Sequence, residues 1–184
     1  MKEKQNIETL KAFPTGGGLV VAVVGVGLIS GSFAFAMKEK GFAKKVIGVS
    51  RTQASLNKAL QLGIIDEALP LEDAVKQSDF IYVAIPVDVT IPVMQQIMDL
   101  MNEKQIVADA GSTKYALCKA LEDHPMRKRF VATHPMWGTE YSGPEAAVRG
   151  AFEGRACVIC EKGKSDKDAV DVVENIYRSF GMHI

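Results

Sequence analysis

The sequence predicts an α/β protein whose strands form a doubly wound, mostly parallel sheet with helices on both faces. Short apolar runs alternate with longer segments of helical periodicity from residue 19 to residue 180. The first run, 19–24, is apolar at every position, which is typical of a strand buried on both faces. It leads directly into a glycine-rich turn at residues 25–30, which opens the first helical segment.

The elements follow one another in a regular order. We expect a flexible N-terminal tail over residues 1–18, which ends in three glycines, and one folded domain over residues 19–184. Strands are predicted at 19–24, 46–49, 67–69, 80–85, 106–108, 130–132 and 156–160. Helices are predicted at 28–40, 53–62, 71–77, 89–101, 114–122 and 166–180.

Composition and charge restrict the class of protein. The chain has 184 residues, 47% of them hydrophobic, so it has enough apolar material for a core. Lys plus Arg and Asp plus Glu both number 22, so no net charge attracts the protein to nucleic acid or to an anionic membrane. No signal peptide and no membrane-spanning run is visible. These features predict a cytoplasmic protein with a small-molecule partner.

The cysteine pair Cys157 and Cys160 has the spacing of a metal or redox motif. It lies in a predicted strand, where positions three apart point to opposite faces. No second pair of this kind is present in the sequence. We therefore predict two free thiols and no metal site.

The glycine turn carries the first functional indication. Gly25 permits a tight turn, Gly27 lets the backbone come close to a pyrophosphate, and Ser30 is the small residue at the third position of the motif. The amides that follow, at Leu28 and Ile29, begin a helix whose N-terminus attracts phosphate. A Rossmann-type dinucleotide site is therefore predicted here.

The end of the second strand bears on the choice of cofactor. An NAD-binding protein usually has an acidic residue there, which binds the ribose hydroxyls. This chain has Ser50, Arg51 and Thr52 instead, and a hydroxyl with a guanidinium suits a 2′-phosphate. The residues therefore favour NADP, with NAD as the alternative. Ile85 and Pro86, at the end of the fourth strand, are also expected to contact the cofactor.

Two further side chains are expected at the same edge of the sheet. Ser112 follows the fifth strand and His134 follows the sixth, and ligands of doubly wound sheets bind outside the carboxyl ends of the strands. His134 is a plausible general base, and Ser112 a group that holds its ring or a substrate hydroxyl. No role is assigned to His124 or His183.

Several motifs together resemble one family, the prephenate/arogenate dehydrogenases. They are the glycine turn with Gly31 and Ser32, Asp109-Ala110-Gly111-Ser112-Thr113-Lys114, His134-Pro135-Met136-Trp137-Gly138-Thr139-Glu140, and Gly150-Ala151-Phe152-Glu153-Gly154-Arg155. Their order and spacing are similar to those of the family over about residues 19–180. Thr133 and Trp137 depart from the pattern, since the family commonly has Gly at the first position and a small residue at the second.

The resemblance implies an activity in tyrosine biosynthesis, the oxidative decarboxylation of prephenate or arogenate with NAD(P). It implies that His134 takes the proton of the ring hydroxyl, that Ser112 positions His134 and the nicotinamide, and that Thr139 and Glu140 lie at the substrate mouth. Family members are dimers that continue into a helical C-terminal domain, which this sequence lacks. We therefore expect the chain alone to bind cofactor but to turn over substrate poorly.

Two other functions fit the sequence less well. A β-hydroxy acid dehydrogenase also begins with a Rossmann unit, but it needs a lysine from a following domain. A non-catalytic or truncated dinucleotide-binding module would need only the glycine turn. The residues do not distinguish prephenate from arogenate as the substrate.

Overall fold

A computed structural model describes residues 18–184, so the predicted tail lies outside the described residues except for Gly18. The strands are β1 Leu19–Val24, β2 Ala43–Val49, β3 Glu67–Ala68, β4 Phe80–Val83, β5 Ile106–Asp109, β6 Phe130–Pro135 and β7 Cys157–Cys160. The helices are α1 Leu28–Glu39, α2 Gln53–Gln61, α3 Leu71–Gln77, α4 Val87–Leu100, α5 Tyr115–Ala120 and α6 Lys167–Ser179. Single 3-10 turns cover Arg127–Arg129, Pro144–Ala146 and Lys162–Lys164.

The strands form one sheet in the order β3-β2-β1-β4-β5-β6-β7. Neighbouring strands are parallel from β3 through β6, and β7 pairs with β6 in the antiparallel direction. β1 therefore lies inside the sheet, and the strand order reverses between β1 and β4. The doubly wound, mostly parallel architecture is confirmed, and its reversal point is where such sheets bind ligands.

Two hydrophobic layers enclose the sheet. Val21 and Val23 of β1 join the layer that contains residues of α1, α2 and α6, while Ala22 and Val24 join the layer beneath α3, α4 and α5. This alternation explains why the strand is apolar at every position. The buried methionines of α4, Met94 and Met98, pack in the second layer.

Several element boundaries differ from the prediction, and β4 ends at Val83, so Ile85 and Pro86 follow that strand instead of ending it. β2 begins at Ala43 rather than at residue 46, and its polar Lys45 forms an ion pair with Glu67 of β3. α4 begins at Val87, directly after Pro86, rather than at residue 89. β6 extends through His134 to Pro135 because β7 pairs with it there, so the prediction that His134 follows the strand was wrong.

The two cysteines of β7 belong to different faces, as predicted. Cys157 is buried in the α1–α6 layer, and Cys160 packs against the other layer. Both thiols are free. Over residues 18–184, no cluster of acidic, His or Cys side chains has the composition of a metal site, and no helix has the length and apolar character to cross a bilayer.

Candidate active site

Gly25 makes the turn that joins β1 to α1. Its φ of +86° lies in the left-handed region, and a β-carbon there would overlap the carbonyl oxygen of Ala84. Its amide donates to the Val49 carbonyl at 2.9 Å, which ties the turn to the end of β2. Only glycine fits here, because both the backbone conformation and the close approach exclude a side chain.

Gly27 and Ser30 form the N-terminus of α1. A β-carbon on Gly27 would meet no atom within 4 Å, so its missing side chain leaves open space rather than serving the packing of the protein. The Ser30 hydroxyl accepts a hydrogen bond from the Gly27 amide at 3.0 Å, and the Ser30 side chain is fully buried. The Gly27 amide is therefore not free, contrary to the simplest form of the motif. The amides of Leu28 and Ile29 come first in the helix and have no carbonyl one turn earlier to bind.

A cavity of about 670 Å³ opens at this turn. Its wall contains six of the predicted cofactor residues: Gly25, Gly27, Ser50, Arg51, Ile85 and Pro86. Other parts of the wall come from the ends of neighbouring elements and from a distant loop, with Ser55, Leu69, Pro70, Leu71, Val89, Pro92, Val93, Gly143 and Pro144. Four predicted cofactor residues lie outside this wall: Leu28, Ile29, Thr52 and Ser112.

The cavity has the features that a dinucleotide needs. Its volume is in the range of small-ligand pockets, about 300–1,000 Å³. The open space at Gly27 adjoins a helix N-terminus, where a pyrophosphate is stabilised by the amides and by the helix dipole. Ser50, Ser55 and the exposed Arg51 supply hydroxyls and a cation at one end. The residues present therefore fit a phosphorylated nucleotide.

The predicted catalytic side chains lie at the same edge of the sheet, on the next strands. His134 is half-buried near the end of β6, where it pairs with Val158 of β7. Ser112 is exposed in the loop after β5, and Thr139 and Glu140 are exposed in the loop after β6. Within residues 18–184, no hydrogen bond joins the Ser112 hydroxyl to the His134 ring, so the proposed contact between them stays a prediction.

Asp109 and Lys114 form a buried ion pair between β5 and β6. The Asp109 side chain is 1% exposed and the Lys114 side chain 11%. The Lys114 ammonium also donates to the Thr133 carbonyl at 2.8 Å, and Asp109 accepts the amides of Gly111 at 3.0 Å and Thr133 at 3.3 Å. Burial raises the pKa of the Asp109 carboxyl, and Lys114 together with these amides opposes the rise.

A chain of hydroxyls continues from Thr133 into the core. The Thr133 hydroxyl donates to the Asp109 carbonyl and is 2.9 Å from the Tyr177 hydroxyl, whose oxygen is 3.2 Å from that of Tyr82. Burial raises the pKa of both tyrosines. They are therefore neutral hydrogen-bonding groups that connect β6 with β4 and α6.

The segment 143–149 returns across α1 and α2 to close one wall of the cavity. The Val148 amide donates to the Ser32 hydroxyl at 2.9 Å, and the Arg149 guanidinium lies 4.1 Å from the ring centroid of Phe35. Glu145 forms an ion pair with Lys58 at 3.2 Å. The loop that follows His134 is thereby attached to the helices of the dinucleotide site.

Part of this site was not predicted from the sequence. Asp109 and Lys114 belong to a motif that resembles the family, but no role was expected of them, although a charged pair next to a buried strand is a usable signal. Ser55 was not predicted either; it lies in the first turn of α2 and accepts a hydrogen bond from the hydroxyl of Thr52, the residue before the helix, at 2.8 Å. Gly143 and Pro144 carried no signal, because their position depends on a contact between segments far apart in the sequence.

Comparison with known proteins agrees with this geometry. A family model described as the nucleotide-binding domain of prephenate dehydrogenase matches residues 33–184. Prephenate dehydrogenase of Bacillus subtilis is 31% identical over 166 residues, which are 89% of this chain and 45% of that protein. The chain thus spans about half the length of this relative.

Solved structures are similar as well. Prephenate dehydrogenase from Aquifex aeolicus, in complex with hydroxyphenyl propionate and NAD+, is 32% identical with a TM-score of 0.83, over 89% of this chain and 58% of that chain. Synechocystis arogenate dehydrogenase is 26% identical with a TM-score of 0.80, over 90% and 58%. Since the family model covers most of the sequence, the chain belongs to the family of prephenate dehydrogenase nucleotide-binding domains.

Proposed function

We propose that the protein catalyses the oxidative decarboxylation of prephenate or arogenate with a nicotinamide dinucleotide. The observation that carries the proposal is the position of His134, at the same sheet edge as a cavity built on the Gly25–Gly27 turn. The turn and the cavity fit the dinucleotide. β6, which is separated from β4 by β5, presents a half-buried imidazole at the same edge, and imidazole is the usual general base at neutral pH.

The chemistry divides between the cofactor and the chain. When bound, the nicotinamide accepts the hydride from the hydroxyl-bearing ring carbon of the substrate. His134 takes the proton of that hydroxyl as the hydride leaves the same carbon. The bond to the ring carboxylate then breaks, carbon dioxide is released, and its electron pair completes the aromatic ring. His134 returns the proton to the phenolic oxygen.

Other residues have supporting roles in this proposal. Ser112 lies on the next loop along the edge and orients the imidazole or the substrate hydroxyl. Thr139 and Glu140, in the exposed loop after β6, line the entrance for the substrate. Leu28 and Ile29 supply amides to the pyrophosphate, since they open α1 beside the cavity.

NADP is the favoured cofactor. The cavity wall at the end of β2 contains Ser50 and Arg51 but no carboxylate, so nothing in that wall repels a 2′-phosphate. Arg51 is exposed and forms no ion pair with another described residue, so its guanidinium is available to a phosphate. Thr52 lies beside it, and its hydroxyl is already bonded to Ser55.

The two other candidate functions receive less support. A β-hydroxy acid dehydrogenase is disfavoured because the chain belongs to a different dehydrogenase family. A non-catalytic nucleotide-binding module would not explain a half-buried histidine at the same edge of the sheet as the cavity. Titration with NADP+ and NAD+, followed by an assay of reduced cofactor with prephenate and with arogenate, separates these functions. Turnover that is slow but lost in His134→Asn would support the dehydrogenase, whereas cofactor binding with no turnover above the enzyme-free background would favour the non-catalytic module.

A further inference from the structure

We propose that Asp109 and Lys114 form a clamp that positions His134 and Ser112 relative to each other. This inference rests on the proposed function, since it concerns the geometry of the proposed base. The two residues are positioning residues, because they hold the backbone that carries His134 and Ser112 rather than acting on the substrate.

The first half of the clamp holds the end of β6. Asp109 accepts the Thr133 amide at 3.3 Å, and Lys114 donates to the Thr133 carbonyl at 2.8 Å. Both backbone polar groups of the residue that precedes His134 are therefore bound by the ion pair. A shift of the pair would move the backbone from which the imidazole projects.

The second half holds the loop after β5. The Asp109 carboxylate accepts the Gly111 amide at 3.0 Å, and Lys114 closes the same loop at its other end. Ser112 lies between these two attachments. One ion pair thus fixes both the strand that carries His134 and the loop that carries Ser112.

Burial makes the clamp rigid. A charge with 1% or 11% side-chain exposure has little water to replace its partner, so the pair resists separation. The same burial argues against a direct role for Lys114 in substrate binding, because its ammonium already has a carboxylate and a carbonyl as partners. Thr133 adds a further restraint through its hydroxyl, which bonds to the Asp109 carbonyl and to Tyr177.

The test uses the three histidines of the chain as reporters. Protein with 15N-labelled histidine side chains is compared as wild type, Lys114→Met and Lys114→Arg. We expect Lys114→Met to shift and broaden the His134 ring signals, with Lys114→Arg restoring them in part. The His124 and His183 signals are internal controls and should not move. The matched control variant is Lys119→Met, which removes an exposed ion pair with Glu122 near the C-terminal end of α5.

Kinetics give the second measurement. A displacement of the catalytic base by about 1 Å lowers the rate on the order of a hundredfold. Lys114→Met should therefore lower kcat about a hundredfold, while the Kd for the cofactor changes less than about twofold. Where Lys114→Met fails to fold, the neutral double variant Asp109→Asn/Lys114→Met removes both charges and replaces it in every measurement.

The outcomes are distinct. Unchanged His134 signals in Lys114→Met or in the double variant would overturn the clamp. A raised KM with unchanged kcat would also overturn it, because that result indicates direct binding of the substrate. If the wild type shows no turnover, the proposed function fails, but the histidine spectra still decide whether the ion pair positions His134.

Discussion

Ala147 packs against Gly31 so closely that a β-carbon on Gly31 would lie 2.7 Å from the β-carbon of Ala147. The contact joins the loop after β6 to the helix that begins at the glycine turn. It also explains a glycine that the dinucleotide motif does not require, because Ser30 already occupies the third position of the motif.

Gly31→Ala should destabilise the protein despite the better helix propensity of alanine. Overpacking costs about 1–3 kcal/mol, against about 1 kcal/mol gained in propensity. Urea unfolding measures the difference. The double variant Gly31→Ala/Ala147→Gly removes the overlap and should recover most of the stability. Equal stability of the single and double variants would show that segment 143–149 does not pack on α1 in this way.

Gly27→Ala should leave the fold intact and weaken cofactor binding. The β-carbon has open space in the protein and φ at Gly27 is −98°, so no strain is introduced. The methyl group would instead occupy the approach of the pyrophosphate. We expect the Kd to rise at least about tenfold, which is about 1.4 kcal/mol, by calorimetry. An unchanged Kd would place the phosphates elsewhere.

Arg51→Ala should reduce the affinity for NADP+ much more than that for NAD+. A charge-assisted hydrogen bond contributes about 1.5–3 kcal/mol, so about a tenfold loss or more is expected. Ser50→Asp should shift preference toward NAD+, because its carboxylate repels a 2′-phosphate. The control is Lys44→Ala, an exposed lysine near the start of β2, at the opposite end of that strand. If Arg51→Ala and Lys44→Ala lower the affinity equally, a general charge effect explains the result.

His134→Asn should lower kcat and leave cofactor affinity nearly unchanged. Removal of a general base costs about a hundredfold to ten-thousandfold in rate. His183→Asn is the control, because that histidine is exposed and its side chain has no assigned role. The measurement is formation of reduced cofactor with prephenate and arogenate. Near-normal turnover in His134→Asn would require another base.

The stability of Lys114→Met should depend on pH in a defined direction. Burial raises the pKa of Asp109 above its usual value of 3.8, and Lys114 opposes the rise, so its loss raises that pKa further. Between pH 3.8 and the raised pKa, Asp109 is ionised in the unfolded chain but still protonated in the folded variant. The free energy of unfolding therefore falls as the pH rises through this range. The free energy of unfolding of Lys114→Met should therefore lie only slightly below that of wild type in acid, and the difference should grow toward neutral pH. Urea unfolding at several pH values measures it, and a difference that is independent of pH would contradict the prediction.

The sequence allowed the sheet and the glycine turn that opens α1 to be predicted, because both depend on local patterns. The apolar run of β1 and the glycine turn lie next to each other in the chain. His134 was placed outside β6 because the predicted strand ended at residue 132, and only the pairing with β7 reveals that it continues to Pro135. The contact of Val148 with Ser32 spans 116 residues, so no local pattern could indicate it.

The three cysteines of β7 and α5 are divided between the two hydrophobic layers, so thiol reactivity can report on each layer separately. Cys157 reports on the α1–α6 side, where burial raises its pKa to about 12, whereas Cys118 and Cys160 report on the other side. Alkylation of native protein at rising urea concentration would therefore follow the opening of the two layers separately. If the layers open together, the protein unfolds as one cooperative unit; if Cys118 reacts first, the α3–α5 layer detaches while the dinucleotide turn is still packed.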